Sequence, residues 1–334
     1  MSSTTAVGSI TGSGLAETVA ALARRNAWTF GLLIGFVILL AFTKVIQPSY
    51  GVPGIQGLAI SVLPLALAAV AQAICVIGGG IDLSIGSMMA LTSVVAATQM
   101  KGQSDAFSIA VVVGVLALGL LLGIVNGSVI VATRVPDIVV TLAMSFVWAG
   151  TALLVLASPG GGSARWLRDL VLGSFGNEWI PKAAVVLLVI VAVVWFPLRR
   201  STLGLSIYAI GSNQLAAFRS GVSVGRTKIL AYALTGFFAA LAGLSLTAST
   251  GIGTPVPGPY TLLSVAAVVL GGVSLAGGRG GVFGPIVAVL ILQLIRTDMA
   301  FLKVDTNLAI VLQGIILIGV VMFGSLIQWR RSRR

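Results

Sequence analysis

Histidine is absent from the sequence, and cysteine occurs once, at Cys75. Histidine is the commonest general base and the commonest metal ligand in proteins, so its absence excludes serine-histidine triads and histidine-based zinc sites. A single cysteine cannot form a disulfide within the chain. We therefore expect a protein that is not an enzyme, with no catalytic residue, no bound metal and no cofactor.

Charged residues are also scarce, at 8% of the 334 residues, and only 8 acids stand against 20 Lys and Arg. Hydrophobic residues make up 57% of the chain. A water-soluble globule of this composition would have too little polar surface to cover itself. The cations lie at the ends of apolar segments and not in a stripe with interleaved aromatics, which argues against nucleic-acid binding. The composition predicts an all-α, polytopic membrane protein.

Ten apolar runs have roughly the length, about 17–25 residues, that crosses the hydrocarbon core of a bilayer. We expect some of these helices to be kinked or broken, and Pro64 marks such a point in the second run. The runs cover residues 28–46, 57–77, 82–100, 107–132, 136–157, 183–197, 229–249, 262–276, 282–295 and 306–327.

An even number of spans places both termini on the same side of the membrane. Thirteen of the 20 cations lie on that side and seven on the other, so the positive-inside rule predicts cytoplasmic termini. The expected organisation is an N-terminal cytoplasmic tail over residues 1–27, one transmembrane domain over 28–327 and a basic cytoplasmic tail over 328–334. The N-terminus lacks the pattern of a cleaved signal peptide, so we expect the tail to be retained.

The longest polar interruption covers residues 198–228, and we call it the basic segment. It carries five cations and no acid. Ser212 or Asn213 can cap a short helix here, Leu215 to Phe218 can form its body, and Gly221 can supply a left-handed stop. Two small residues, Ala216 and Ala217, suit the close docking of another protein. The residue pattern fits a docking surface and a plain cytoplasmic loop kept positive by topology equally well.

A second polar feature is the stretch from Gly78 to Ala97, in which three glycines precede Asp82. Asp82 fits a helix N-cap, whose charge the helix dipole favours. The alternative is a broken helix at membrane depth whose free N–H groups bind a ligand. Capping explains the aspartate without any ligand and is the simpler interpretation.

Uncharged polar side chains lie inside several predicted spans. Such groups join helices together or line a wet path, and the second role suits a polyhydroxylated, uncharged solute. The candidate path residues are Gln72, Asp82, Asn126 and Thr141, and Gln293 and Gln313 are of the same kind. Titratable groups at membrane depth are too few for proton or sodium coupling, so energy must come from another source.

A third feature is the set of glycines that surrounds Arg279, from Gly271 to Gly281. A nucleotide P-loop needs a lysine followed by Ser or Thr, and neither is present here. We expect close helix packing through small residues, with the eighth and ninth spans forming an antiparallel pair.

Three blocks of the chain resemble a known family. GGGIDLSIGSMMALTSVVAA, LGLSIYAIGSNQLAAFRSGVSVGRTKILAYALTGFFAALAGL and AAVVLGGVSLAGGRG occur in that order. Together they resemble the membrane permease subunits of bacterial ABC importers for ribose, xylose, arabinose, galactose and related small sugars. The likeness runs in order over most of the chain.

The resemblance implies a bacterial inner-membrane permease that translocates a small sugar or polyol. It implies three partners: a second permease chain, identical or related, a separate ATPase with two nucleotide-binding halves, and a periplasmic or lipid-anchored sugar-binding protein. The loop that docks on the ATPase would contain Gly204, Ala209, Gly211, Asn213, Ala216, Ala217 and Gly221. The alternative from another class is a self-contained secondary transporter of a small neutral solute.

One departure from the family pattern follows Tyr260. Similar permeases usually carry a Tyr-Glu-Leu-Asp run here, whereas this chain has Thr261, Leu262 and Leu263 after the tyrosine. The resemblance therefore does not identify the sugar or the contact with the binding protein. The outer loop over residues 158–182 is a candidate surface for that protein, and a mere connector is the alternative.

Overall fold

The computed structural model describes residues 27–256 and 258–305, together with a few positions between 308 and 322. The tails expected over 1–27 and 328–334, and the tenth span over 306–327, lie almost wholly outside the described residues. The helices are α1 (Ala27–Ile46), α2 (Val52–Ile77), α3 (Ile85–Met100), α4 (Asp105–Thr133), α5 (Asp137–Val155), α6 (Arg165–Val171), α7 (Lys182–Ile190), α8 (Phe196–Arg200), α9 (Thr202–Ser212), α10 (Gln214–Arg219), α11 (Val224–Thr250), α12 (Tyr260–Leu270) and α13 (Phe283–Phe301).

Seven helical stretches in the described part are long and apolar enough to cross a membrane, which confirms the predicted all-α polytopic fold. They match the first, second, fourth, fifth, sixth, seventh and ninth predicted spans. The sixth is α7 and α8 joined by one π-helical turn, Val191–Trp195. That turn precedes Pro197, which has no N–H to continue the regular ladder. The second span is one continuous helix through Pro64, so the proline does not break it.

In the third and eighth predicted spans, the helix is too short to cross the membrane. α3 has 16 residues and α12 has 11, which correspond to roughly 24 and 17 Å against a hydrocarbon core of about 30 Å. The third predicted span began at Asp82, but the helix begins at Ile85 because residues 78–84 form turns. The eighth was predicted to reach residue 276, yet its helix ends at Leu270. Both spans are broken helices completed by glycine-rich turns.

The two non-helical stretches lie against each other, and some of their residues, such as Gly79 and Gly280, are exposed. The Gly278 N–H donates to the Ile77 oxygen across 2.9 Å. A methyl group at Gly277 would meet Gly79, and both glycines have positive φ angles, of 83° and 84°, that favour glycine. At the start of α3, the Gly86 N–H donates to Thr261 Oγ1 at 3.0 Å. The predicted close packing through the 271–281 glycines is confirmed, and α12 packs on α13.

The core is centred on α2 and α11. In the most apolar 18-residue stretch of α2, 89% of the residues are buried, whereas in that of α1 only 11% are buried. Large apolar side chains such as Phe146 and Leu154 on α5 point outward. In a bilayer, lipid tails solvate such surfaces, so an apolar exterior is expected there.

The stretch expected as the outer loop, 158–182, holds α6 and a small antiparallel hairpin. Its strands are β1 (Ser174–Phe175) and β2 (Asn177–Pro181). Phe175 and Trp179 are exposed on the hairpin.

The closest helix crossing joins α4 and α11. Gly119, Gly123 and Gly127 are four residues apart on one face of α4, and they lie against the α11 backbone around Gly236. A methyl group at Gly123 would overlap the backbone oxygen of Tyr232. Small residues at this spacing let two helix backbones approach closely in a membrane.

We predict that Gly123→Ala destabilises the protein by about 1–3 kcal/mol, because the added methyl group forces the two backbones apart. The control is Gly114→Ala on the same helix, where nothing lies within 4 Å of the new methyl group. That change should be neutral or slightly stabilising, since alanine is the better helix former. Unfolding of the purified protein in mixed micelles measures both, and equal stability of the two variants would contradict the crossing.

Candidate functional site

The basic segment folds into α9 and α10, and each helix is capped by a side chain. The Ser201 hydroxyl accepts a hydrogen bond from the Gly204 N–H at 3.1 Å, and Asn213 Oδ1 accepts one from the Ala216 N–H at 3.0 Å. At the end of α10, Gly221 has φ +85° and the Val222 N–H donates to the Ala217 oxygen at 3.0 Å. The predicted cap at Asn213 and the predicted left-handed stop are confirmed.

The α10 helix presents an apolar surface outward. Leu215 and Phe218 are 59% and 67% exposed, and Ala216 is exposed beside them. Ala217, on the opposite face, is buried. Arg219 and Arg226 are also exposed, so cations border this apolar surface.

The α9 helix contacts the end of α2 and the glycine stretch that follows α12. A methyl group at Gly211 would overlap the Ile77 oxygen, and one at Gly204 would overlap the Leu198 oxygen. The Tyr208 hydroxyl donates to the Gly280 oxygen at 2.8 Å. These contacts join the basic segment to the end of α2 and to the 271–281 glycine stretch.

A buried polar network holds the turns before α3. Asp82 Oδ1 accepts hydrogen bonds from the N–H and the hydroxyl of Ser84, at 2.8 and 2.6 Å. The Asn126 amide donates to the Ser84 oxygen at 2.8 Å, and its own oxygen accepts from Trp148 Nε1 at 3.1 Å. The other Asp82 oxygen, Oδ2, is buried with no partner in this part of the chain.

Gln72 and Thr141 complete the network from two further helices. With its amide oriented by its partners, Gln72 donates to the Asp82 backbone oxygen at 2.9 Å and accepts from its N–H at 3.3 Å. Thr141 Oγ1 accepts from the Leu83 N–H at 3.1 Å. The N–H groups of residues 82–84 are thus occupied by the protein's own side chains, which argues against an open ligand site. The predicted N-cap at Asp82 is wrong: the N-cap position is Ser84, because the turn continues two residues further, and Asp82 accepts from the Ser84 N–H within that turn.

One ion pair connects the basic segment to these turns. Lys228 Nζ lies 2.7 Å from Asp137 Oδ1, and the Tyr232 hydroxyl donates to Asp137 Oδ2 at 2.8 Å. Both charged side chains are largely buried, at 17% and 12% exposure. A methyl group at Gly80 would collide with Asp137 and Tyr232. The carboxylate therefore touches both the end of the basic segment and the turns before Asp82.

A separate cavity of about 510 Å³ lies near the opposite end of α2. Its walls come from α2, the end of α11, the start of α12 and the last turns of α13. The polar residues that line it are Ser61, Ser249, Thr250, Tyr260, Gln293, Arg296 and Thr297. Among the described residues, no group of three or more Cys, Asp and Glu side chains lies close enough to hold a metal ion.

Comparison with known proteins decides the family. Residues 54–321 match the family described as the branched-chain amino acid transport system permease component. The chain belongs to this family. It is 31% identical over 296 residues to the ribose import permease protein RbsC of Escherichia coli K12, covering 87% of this chain and 91% of that protein. It is 34% identical over 323 residues to the L-arabinose ABC transporter permease protein AraH of Azospirillum brasilense, covering 94% and 93%.

A third relative is the fructose import permease protein FrcC of Rhizobium meliloti, 30% identical over 312 residues, with 91% of this chain and 82% of that protein covered. No solved structure matches the chain.

The four candidate path residues of the permease come together as the network around residues 78–84. All four are fully buried, and none of them lines the cavity. Gln293, which the sequence singled out as a polar residue within a span, does line it, whereas Gln313 lies outside the described residues.

The docking candidates divide into two groups. Asn213, Ala216 and Gly221 are exposed and Ala209 is half-buried, whereas Gly204, Gly211 and Ala217 are packed inside the chain. Sequence reasoning missed the Lys228–Asp137 pair, because the two residues are 91 positions apart in the chain. Asp137 is an isolated acid near several cations on the same side of the membrane. That isolation is the sequence signal that could have indicated an ion pair.

We predict that Asp137 and Lys228 are energetically coupled in the permease by about 1–3 kcal/mol. The measurement is a double-mutant cycle of Asp137→Asn and Lys228→Met on the free energy of unfolding in mixed micelles. Arg134→Met is the matched control, because Arg134 is exposed and its effect should add to that of Asp137→Asn. Additive effects at Asp137 and Lys228 would contradict the pair.

Proposed function

We propose that this chain is the transmembrane permease subunit of a bacterial ATP-driven importer, and that it forms the translocation path for a small sugar or polyol. The observation that carries the proposal is that relatives named for ribose, L-arabinose and fructose transport match nearly the whole chain. The chain has no nucleotide P-loop around Arg279. A separate ATPase with two nucleotide-binding halves would therefore supply the energy.

The ATPase would dock on α10. Leu215, Ala216 and Phe218 give an exposed apolar surface, and the basic segment around it carries five cations and no acid. A complementary partner has an apolar groove with an acidic rim, since opposite potentials steer such contacts. Asn213 and Gly221 set the position of α10 through its cap and its stop, and Ala209, Gly204 and Gly211 seat α9 against the rest of the chain.

Movement of the docked segment would reach the broken helices by two routes. α9 contacts the end of α2 and the glycine stretch directly, through Gly211 and Tyr208. Lys228 holds Asp137, which lies against Gly80. A rigid displacement of α9 and α10 would therefore shift the turns that carry Asp82, and the path residues Gln72, Asp82, Asn126 and Thr141 would separate and face the solute.

The same proposal covers the orientation in the membrane, the second permease chain and the sugar-binding protein. One transmembrane domain over 28–327 lies in the inner membrane with both termini in the cytoplasm, as the cation asymmetry favours. Two permease chains, identical or related, rock about their interface to alternate access. The periplasmic or lipid-anchored sugar-binding protein docks on the outer loop 158–182, where exposed Phe175 and Trp179 offer anchoring side chains.

We predict that Ala216→Glu lowers ATP-driven uptake more than about tenfold, because it would bury an unpaired carboxylate in the docked interface. The variant should reach the membrane in normal amounts, since Ala216 is exposed. Ala217 is a poorer test site because its side chain is buried and a change there acts on folding. Thr202→Glu, in the same segment but off α10, is the control and should retain uptake. Wild-type uptake by Ala216→Glu cells would exclude docking at α10.

We also predict that the purified chain alone in liposomes accumulates no sugar, whether a proton or a sodium gradient is imposed. Adding the ATPase, the binding protein and ATP should produce accumulation, measured with radiolabelled pentoses and hexoses. Accumulation by the lone chain would show a secondary transporter instead.

A further inference from the structure

The cavity between α2, α11, α12 and α13 is of a size that holds a small solute. Its volume of about 510 Å³ falls in the range of ligand pockets, roughly 300–1,000 Å³. Pro64 lies in its wall, at a point of α2 where the proline has no N–H to donate. Gln293, which is 8% exposed, donates to the Ser61 backbone oxygen at 2.9 Å and thereby ties α13 to α2 at the cavity.

The hydroxyl groups that line the cavity are arranged as acceptors. Each has a backbone oxygen three or four residues earlier in its own helix to which it donates, and this leaves lone pairs for a ligand. The residues concerned are Ser61, Ser249, Thr250 and Thr297. Thr250 Oγ1 also accepts from the Ile252 N–H at 3.4 Å, so it has less acceptor capacity to offer. Such acceptors suit the hydroxyl protons of a polyol, but they cannot donate to an anion.

Donors come from two other lining residues. Tyr260 has no hydrogen-bond partner for its hydroxyl among the described residues, and Arg296 carries up to five N–H donors. The ninth predicted span ended at residue 295, but the structure places Arg296 inside α13, five residues before the helix ends at Phe301. Its side chain is exposed and lines the cavity, so its guanidinium is accessible to a solute there.

No acid is found among the described residues that line the cavity. Arg296 is the only charged residue among them. The cavity therefore combines several hydroxyl acceptors with one cationic donor that has no carboxylate partner there.

We propose that this cavity binds a polyhydroxylated solute bearing a carboxylate, an acidic sugar, with its carboxylate on Arg296 and its hydroxyls on the Ser and Thr oxygens. This inference rests on the proposed function and names its substrate class. A guanidinium binds a carboxylate by two parallel hydrogen bonds between opposite charges, whereas a neutral sugar offers it only uncharged hydroxyl oxygens. A lipid headgroup is the other source of an anion at this position, and the experiment separates the two.

The test uses the purified full chain in nanodiscs of phosphatidylcholine, with D-galacturonate and D-galactose as probes. The two differ at one carbon, which carries a carboxylate in the first and a hydroxymethyl group in the second. We expect D-galacturonate to bind about tenfold more tightly, measured by calorimetry or by the rise in the unfolding temperature with ligand concentration. Arg296→Gln should abolish the difference, and Arg296→Lys should keep part of it.

The matched control is Lys101→Gln, which removes an exposed cation that does not line the cavity. It should keep the tenfold preference. A preference that survives Arg296→Gln, equal affinities for the two probes, or binding of neither would overturn the inference. A preference lost in nanodiscs containing anionic phosphatidylglycerol would also overturn it, by showing that Arg296 holds a lipid headgroup.

The complete transporter distinguishes this inference from the proposed function. ATP-driven uptake of a neutral sugar without uptake of D-galacturonate would contradict only the acidic-sugar assignment. Absence of ATP-driven uptake for any neutral or acidic sugar would contradict the proposed function itself.

Discussion

The structure depends on the requirement that every backbone N–H and C=O group inside a bilayer be paired. Residues 78–84 and 271–281 are not helical, so their N–H groups lack the regular partners of a helix. Some pair within their own stretch, as Gly277 does with Ser274, and others pair with distant parts of the chain, as Gly278 does with Ile77 and Leu83 with Thr141. The polar side chains around these turns exist first of all to satisfy that requirement.

The same pairing requirement determines which parts of the permease backbone can change conformation. A regular helix is stiff and has no free polar groups, whereas a turn held by side chains from α2, α4, α5 and α9 has several bonds that can be exchanged. The turns that carry Asp82 are therefore where a displacement of the basic segment can alter the backbone at low energetic cost. The unpaired oxygen of Asp82 lies at this point and gives the network one acceptor that another conformation can use.

The sequence predicted local features well and remote ones poorly. Hydropathy located the long spans, and the cap at Asn213 and the stop at Gly221 followed from residue type, since both depend on neighbours in the chain. The ends of the broken helices were placed too far out, because an apolar run continues through turns as readily as through a helix.

Two features depend on tertiary packing, which sequence periodicity does not report. They are the contact between Asp137 and Lys228, 91 residues apart, and the cavity built from four helices. The glycines at 119, 123 and 127 were visible in the sequence and their spacing could have predicted the α4–α11 crossing.

The glycine crossing has a consequence for how the molecule can move. Where Gly123 meets the backbone of Tyr232, there is no side-chain layer between the helices that could act as a sliding surface. We therefore expect the helices α4 and α11 to move together during transport, because a shift of one along the other would bring side chains into the glycine contact. Spin labels on these two helices would keep a constant separation, and that pair would serve as the fixed frame against which the displacement of every other helix is measured.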